Sequence, residues 1–444
     1  MSFEEAFSYL LSLGHETLTI KLGLTSTETL LNALGNPHKQ FPAVQIAGTN
    51  GKGSTAVILD SICRAAEVRT GLFTSPHLIS ITERIRIDGK QVSEPDFARF
   101  TAQVKETAAE LLRQGGLETL PTFFEHITAI ALLAFSEAKV ELAILETGLG
   151  GRLDSTTAVG AESIAITPIA MDHEEYLGHS LVEIAAEKAA IIRPGVAAII
   201  APQPDRALNV IVRQCEASGV KPRMIESGLV EVVETSPDGG CCVNFQTGEG
   251  RYEGVWIGLR GRHQVTNALI AIGLAETLGE HGFVIPREAI IRGIETATHP
   301  GRLEIWEGQP RTIFDGAHNP GAACALRAYL DEFIKQPVTM IFGAMRDKAL
   351  PEMGAALFPK AGVLILTALD NPRAATIEML TAAVPESFDQ SNVYQASSVN
   401  EALQIAKKIT PPGGLVCVTG SLYLIGAAQE VLKQRSQRVA HQRA

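Results

Sequence analysis

Short, mostly aliphatic runs alternate along this chain with helical patterns almost throughout, which predicts a parallel sheet whose strands are joined by crossover helices. FPAVQIAG (41–48), VELAILETG (140–148), ESIAITPI (162–169) and VAAIIAP (196–202) read as strands. EPDFARFTAQVKETAAELLRQ, from Glu94, and FEHITAIALLAFSEA, from Phe124, read as helices between them. Residues 221–260 break the alternation with the turn clusters SPDGG and TGEG and predict a small β-rich insertion. A helix, QVTNALIAIGLAETLG, resumes at Gln264. Pro300 and Gly301 in THPGRLEIW then separate a helix from a fresh strand series, TIFDGA, VTMIFGAM, AGVLILTAL and GLVCVTG. The expected fold class is α/β. A phosphate-loop-type, mostly parallel sheet domain spans 1–298, a Rossmann-like α/β domain spans 299–434, and the hinge falls near His299 to Gly301. The polar, basic residues 435–444 read as a solvated tail, and GLTSTETLLNALGNP (23–37) reads as a pocket-shaping loop.

Composition narrows the function. At 444 residues the chain exceeds what one hydrophobic core usually organises, so two or three domains are expected, and 45% apolar residues suffice to fill them. A formal charge of -11 argues against a nucleic-acid footprint, because phosphate-backbone binders carry a basic face. The acidic start MSFEEAFSYLLSLG does not read as a secretory signal, and no charge-free apolar run approaches the roughly 18 residues of a membrane span. Six scattered cysteines without a C-x-x-C pair fit reduced thiols rather than a zinc site. The expectation is a soluble, cytoplasmic protein with small-molecule partners.

The candidate chemistry centres on VQIAGTNGKGST (44–55). A strand ending in Ala47, a glycine-rich loop and a helix opening at Ser54 form the setting in which backbone amides, a helix N-terminus and a lysine cradle polyphosphate. The strict phosphate-loop pattern needs glycine at 46 and a hydroxyl at 53, where this chain has Ile46 and Gly53. The hydroxyl that normally ligates magnesium is therefore gone, and any metal must be held elsewhere. Strand C-terminal ends are the place to look. Three residues stand there: Ser75 in LFTSPHL, Glu146 closing VELAILETG, and His173 in PIAMDHEEYLG. Glu146 is the strongest of these, since a carboxylate ending an apolar strand is costly unless it binds something. GLGGR (148–152) lacks the glycine spacing of a dinucleotide site.

AGTNGKGST, FTSPHL, ERIRI, ETGLGGRLDSTT, DHEEYLG, AAEKAAIIRPG, HPGRLE, DGAHNP and VTGSLYL occur in this order over positions 47–424. On these the chain resembles the bacterial folylpolyglutamate synthases that often double as dihydrofolate synthase, within the Mur ligase superfamily. The resemblance implies that Gly48, Thr49, Asn50, Gly51, Lys52, Gly53 and Ser54 hold the phosphates of ATP. It implies Mg²⁺ bound by Ser75, Glu146 and His173. Lys188 matches a position that many Mur-type ligases carbamylate, which would supply a ligand for a second ion. Asn267, Arg302 and Asp315 match nucleotide-contacting positions, and His318 and Ser421 match positions near ATP and glutamate. Thr122, Phe123, Phe124, Glu125, Leu153, Asp154 and Ser155 match the pterin-side pocket.

The implied reaction is ATP-driven amide formation. A folate or dihydropteroate carboxylate attacks the γ-phosphate, and the amine of L-glutamate then displaces phosphate from the acyl phosphate. The resemblance also implies a monomer. Two rivals carry different expectations. A cell-wall ligase of the same superfamily usually has an additional N-terminal domain, and only about 40 residues precede the loop strand here. A phosphate-loop ATPase coupled to a macromolecule would hydrolyse ATP without either substrate.

Overall fold

A computed structural model of the protein describes residues 1–14 and 23–443. Its first sheet contains β1 (Ala43–Ala47), β2 (Thr70–Phe73), β3 (Ile85–Ile87), β4 (Lys90–Gln91), β5 (Leu142–Glu146), β6 (Ser163–Ile166), β7 (Ala197–Ile200) and β8 (Arg223–Met224). The spatial order is β4-β3-β2-β5-β1-β6-β7-β8. All pairings are parallel except the edge hairpin formed by β3 and β4 against β2. β1 and β5 are buried at every position, which is why they read as mostly apolar runs rather than alternating ones. Successive residues nonetheless face opposite cores. Ala43, Ala47 and Leu145 pack with the helix Phe123–Glu137, whereas Val44, Ile46 and Ile144 pack with the helices Lys52–Ala65 and His263–Glu280.

The β-rich insertion is a three-stranded antiparallel sheet of β9 (Val230–Thr235), β10 (Cys241–Gln246) and β11 (Arg251–Trp256), in the order β11-β10-β9. The third sheet contains β12 (Glu304–Trp306), β13 (Arg311–Asp315), β14 (Val338–Phe342), β15 (Val363–Thr367), β16 (Val393–Ala396) and β17 (Leu415–Thr419). Its order is β12-β13-β17-β14-β15-β16, parallel apart from β12. Here too Ile313, Met340 and Leu364 face one core while Phe314, Ile341 and Ile365 face the other.

Three expectations change. Residues 23–37 are not simply a loop, because Thr25–Ala33 is a helix that buries Thr27, Leu30 and Leu31. Its first turn has no side-chain cap, so the usual start signal is missing. The basic C-terminal residues continue the helix Leu422–Arg443 rather than leaving it as a tail. Leu424, Ile425 and Ala428 anchor that helix in a core, and its Gln, Arg and Ala residues are good helix formers. The helix after the glycine loop opens at Lys52, two residues earlier than expected.

The last helix also carries the second domain against the first. A Cβ at Gly426 would lie 1.9 Å from the Leu78 carbonyl oxygen. Gly426→Ala is therefore expected to cost about 1–3 kcal/mol of overpacking and to lower the apparent Tm by several degrees in thermal denaturation. An unchanged melting profile would show that this helix is free to shift away from Leu78.

Candidate active site in the interdomain cleft

A cavity of about 660 Å³ opens between the first and third sheets. Every site residue expected from the sequence lines it except Phe123. Phe123 begins a helix whose inner face is core, and its ring is buried beneath the Arg84 guanidinium, 5.4 Å from the ring centroid.

The glycine loop leaves β1 where the strand order reverses, the position at which open α/β sheets bind ligands. Gly48 (φ 142°) and Gly51 (φ 92°) both adopt left-handed backbone. A Cβ at Gly48 would meet Thr167 Oγ1 at 1.9 Å, and one at Gly51 would meet Asn267 Oδ1 at 2.3 Å. Asn267 thus packs on the loop, steadied by its own bond from Nδ2 to Gln264 Oε1 at 2.8 Å. The amides of Thr49 and Asn50 both donate to the Pro168 carbonyl at 3.1 Å, so these two shape the loop instead of facing a ligand. The helix opening at Lys52 leaves its first amides without intrahelical acceptors, and these point the positive end of the helix at the cavity. Lys52 Nζ donates to Thr49 O at 3.3 Å.

Gly53 has a steric explanation. A Cβ there would sit 2.9 Å from His299 Cε1 and 3.2 and 3.4 Å from the two carboxylate oxygens of Glu146. The space a hydroxyl-bearing side chain would fill is occupied by a carboxylate from β5 and an imidazole from the interdomain segment. His299 also hydrogen-bonds Ser54 Oγ through Nδ1 at 3.2 Å.

Glu146 is buried and accepts the Ser75 amide at 3.0 Å. Burial pushes its carboxyl above the usual range, opposed by Lys52, the Ser75 amide, Arg302 and Arg84. His173 stands at φ 52°, ψ 41° ahead of a short helix, and its Nδ1 is buried without a hydrogen-bond partner. Burial pushes this imidazole down to about 3, with Asp172 acting in the opposite sense. A neutral imidazole with an open nitrogen, a carboxylate and the adjoining Ser75 suit a hard divalent cation. Among the described residues no three His, Cys, Asp or Glu side chains converge as a metal cluster. The candidate set has only two such side chains.

Lys188 is buried beneath the loop and donates from Nζ to Gly48 O at 2.9 Å. Burial, and then the charge of Lys52, brings its amine down to about 7.

From the second domain, Arg302 Nη1 donates to Gly316 O at 3.1 Å. Asp315 accepts the amide of Leu303 at 3.0 Å through Oδ2 and that of Ala317 at 3.1 Å through Oδ1, so it ties the segment that carries Arg302 to the loop after β13. His318 Nδ1 lies 2.7 Å from Gly316 O, and burial, then Lys348, pushes its imidazole down to about 4. Ser421 Oγ accepts the amide of Tyr423 at 3.2 Å at the start of the last helix.

The expected pterin-side residues are partly committed to the scaffold. Thr122 and Glu125 form a capping box, and Glu125 also accepts from Thr27 Oγ1 at 3.3 Å. Asp154 accepts the amides of Leu149 and Thr156. Phe124, Leu153 and Ser155 remain as cavity wall.

Sequence reasoning missed Asp172, Asn319 and Lys348. Asp172 Oδ1 accepts from Lys348 Nζ at 2.6 Å, and Oδ2 accepts from Asn319 Nδ2 at 3.0 Å. Burial alone would raise the Asp172 carboxyl, but His173, Lys348 and His318 hold it well below the usual carboxylate range. Asp172 and Asn319 stand in the motifs DHEEYLG and DGAHNP and could have been found there. Lys348 has no local signal.

Residues 46–275 match the Mur ligase middle domain, and residues 301–422 match the Mur ligase glutamate ligase domain. The dihydrofolate synthase/folylpolyglutamate synthase of Bacillus subtilis is 34% identical over 426 residues, covering 95% of this chain and 97% of that relative. This chain belongs to the folylpolyglutamate synthase/dihydrofolate synthase family of Mur ligases. Among solved members, the Mycobacterium tuberculosis folylpolyglutamate synthase complexed with ADP superposes with a TM-score of 0.90 at 31% identity, covering 97% of this chain and 98% of that one. A bifunctional folylpolyglutamate synthase/dihydrofolate synthase with Mn, AMPPNP and L-glutamate bound superposes at 0.84 with 30% identity, covering 98% of each chain. The chain spans about half the length of two haloarchaeal relatives, from Haloferax volcanii and Halobacterium salinarum. Both are named probable bifunctional folylpolyglutamate synthase/dihydropteroate synthase, at 35% identity over 97% of this chain and 50% and 51% of theirs. The two-domain α/β fold is that of the folylpolyglutamate synthases, and neither a macromolecule-coupled ATPase nor a cell-wall ligase is favoured. Among the described residues no helix is long and apolar enough to cross a membrane.

Proposed function

We propose that the protein is an ATP-dependent ligase that adds L-glutamate to a folate, and to dihydropteroate, through an acyl-phosphate intermediate. The observation that carries this reading is a single cavity in which the glycine loop and Lys52 of one domain face Arg302, His318 and Ser421 of the other. Two anions, a substrate carboxylate and a triphosphate, must meet there against their repulsion. Lys52 and the first amides of its helix offset the phosphate charge from one side, and Arg302 does so from the other. Asp315 keeps Arg302 in place through the backbone. His318, neutral at physiological pH, is suited to orient the phosphate or take a proton from the incoming amine. The interdomain segment around His299 to Gly301 acts as the hinge, so that closure excludes water from an acyl phosphate.

Ser75, Glu146 and His173 would hold a divalent ion. The orphaned His173 Nδ1 and the buried Glu146 carboxylate beside Gly53 support that fit. When bound, the ion neutralises phosphate charge as Lewis acid. Small-molecule partners accord with the charge of -11. The free cysteines among the described residues accord with a reducing cytoplasm. A monomer is proposed on the family resemblance alone.

The test is an assay with MgATP and glutamate, comparing dihydropteroate with tetrahydrofolate as acceptor. The expected result is amide product and ADP release that require both glutamate and acceptor. Glutamate-independent ATP hydrolysis with no amide product would overturn the assignment.

Lys188 is proposed as a carbamylated lysine. Carbamate formation needs the neutral amine, and this amine titrates near 7, so modification at fixed CO₂ pressure should rise as pH increases through that value. ¹³C NMR with labelled CO₂ is expected to show a carbamate resonance that grows from pH 6 to 8 and is lost in Lys188→Met. A resonance that persists in that variant, or none in the wild type, removes the carbamate from the site.

A further inference from the structure

The cleft is crossed by a small buried polar network that the reaction chemistry alone does not require. Asp172 lies at the mouth of β6, one residue before His173, and its side chain is almost wholly inaccessible. Its Oδ1 accepts the His173 amide at 2.9 Å and Lys348 Nζ at 2.6 Å. Its Oδ2 accepts Asn319 Nδ2 at 3.0 Å, with His318 Nε2 at 3.7 Å. The second hydrogen of the Asn319 amide goes to Asn50 Oδ1 in the glycine loop at 2.9 Å, while Asn319 Oδ1 caps the helix Pro320–Phe333 through Ala322 N at 2.9 Å. The fit is close as well as polar, because a Cβ at Gly321 would lie 2.9 Å from Asn50 Nδ2.

We infer that Asp172, Asn319 and Lys348 form an interdomain latch that fixes the one closed register in which the second domain meets the glycine loop and the metal-side histidine. Asp172 and Asn50 belong to the first domain, Asn319 and Lys348 to the second. A buried ion pair of this kind adds little net stability, because desolvation offsets its attraction. It is selective, however: a closure displaced by even an ångström or two leaves a desolvated carboxylate short of its cation and an amide short of an acceptor. The same carboxylate ties down the backbone at His173, and the same amide ties down Asn50. Closure and the placement of both site elements are therefore one event. The three side chains are positioning residues, acting through His173, Asn50 and the closed geometry. The inference rests on the ligase reading for its kinetic part only.

The test uses full-length Lys348→Met, Asp172→Asn, the double variant and Lys348→Arg. Each single substitution is expected to lower kcat about 10- to 100-fold while leaving KM for ATP within about twofold. The double variant should be no slower than the worse single one, since both break the same contact. Lys348→Arg should recover most of the loss. Hydrogen–deuterium exchange with MgADP, without folate or glutamate, reads closure independently of turnover. Lys348→Met should speed exchange in residues 48–54 and 320–326. Multiplicative losses in the double variant, a change confined to KM for glutamate, or unaltered exchange in those two segments would each overturn the latch. If the wild type forms no amide product but the exchange difference is present, the ligase reading fails and the latch stands.

Discussion

Lys52→Ala is expected to lower kcat for ATP-dependent amide formation by at least about 10²–10³-fold, the scale on which one preorganised charge stabilises a transition state, and to leave the fold intact. Among the described residues the Lys52 ammonium makes one hydrogen bond, to the Thr49 carbonyl of its own loop, so little structure depends on it. Its electrostatic reach is longer. It opposes the burial that raises the Glu146 carboxyl and it helps lower the Lys188 amine. The residual activity of the variant should therefore have its acid limb at higher pH, because Glu146, which must be ionised to serve, has lost its largest favourable charge. The checks are initial rates from pH 5.5 to 9 beside a thermal melt. Wild-type turnover, or an acid limb that moves down, would remove Lys52 from the site.

Gly53→Ser is expected not to restore a phosphate loop of ordinary pattern but to cost about 10²-fold or more in turnover and to weaken divalent-metal dependence by a similar factor. The Cβ alone is the offending atom, lying within 3.4 Å of both Glu146 oxygens and 2.9 Å from His299. Gly53→Ala should consequently be as damaging as Gly53→Ser, measured as turnover against Mg²⁺ or Mn²⁺ concentration. If the serine variant is clearly better than the alanine one, the new hydroxyl ligates metal and the steric account is wrong.

The sheet was readable because β1, β5, β6 and β7 are buried almost throughout and leave mostly aliphatic runs. β3, β4, β8 and β12 were not, being two or three residues long, and β16 was not because its middle is exposed; with so few buried side chains the period of two has nothing to repeat. The site was largely readable for another reason. A loop missing its hydroxyl demanded ligands from specific strand ends, and Ser75, Glu146 and His173 do line the same cavity. What sequence could not reveal was division of labour. Thr122, Glu125, Asp154 and Asp315 stand where ligand contacts were expected, yet their polar atoms are largely engaged by neighbouring backbone. Lys348 escaped because its meaning depends on Asp172, 176 positions away and across the cleft.

The close approach of Glu146 to Gly53 also limits how such a site can be reached by single mutations. From a loop with a hydroxyl after its lysine, installing a glutamate at the end of β5 first produces a clash, and losing the hydroxyl first leaves the metal without its ligand. Each single change is therefore expected to be worse than both endpoints, which would place the two positions in reciprocal sign epistasis. A shorter carboxylate relieves only the Glu146 contacts and not the 2.9 Å approach to His299, so Glu146→Asp should restore no more than part of what Gly53→Ser destroys.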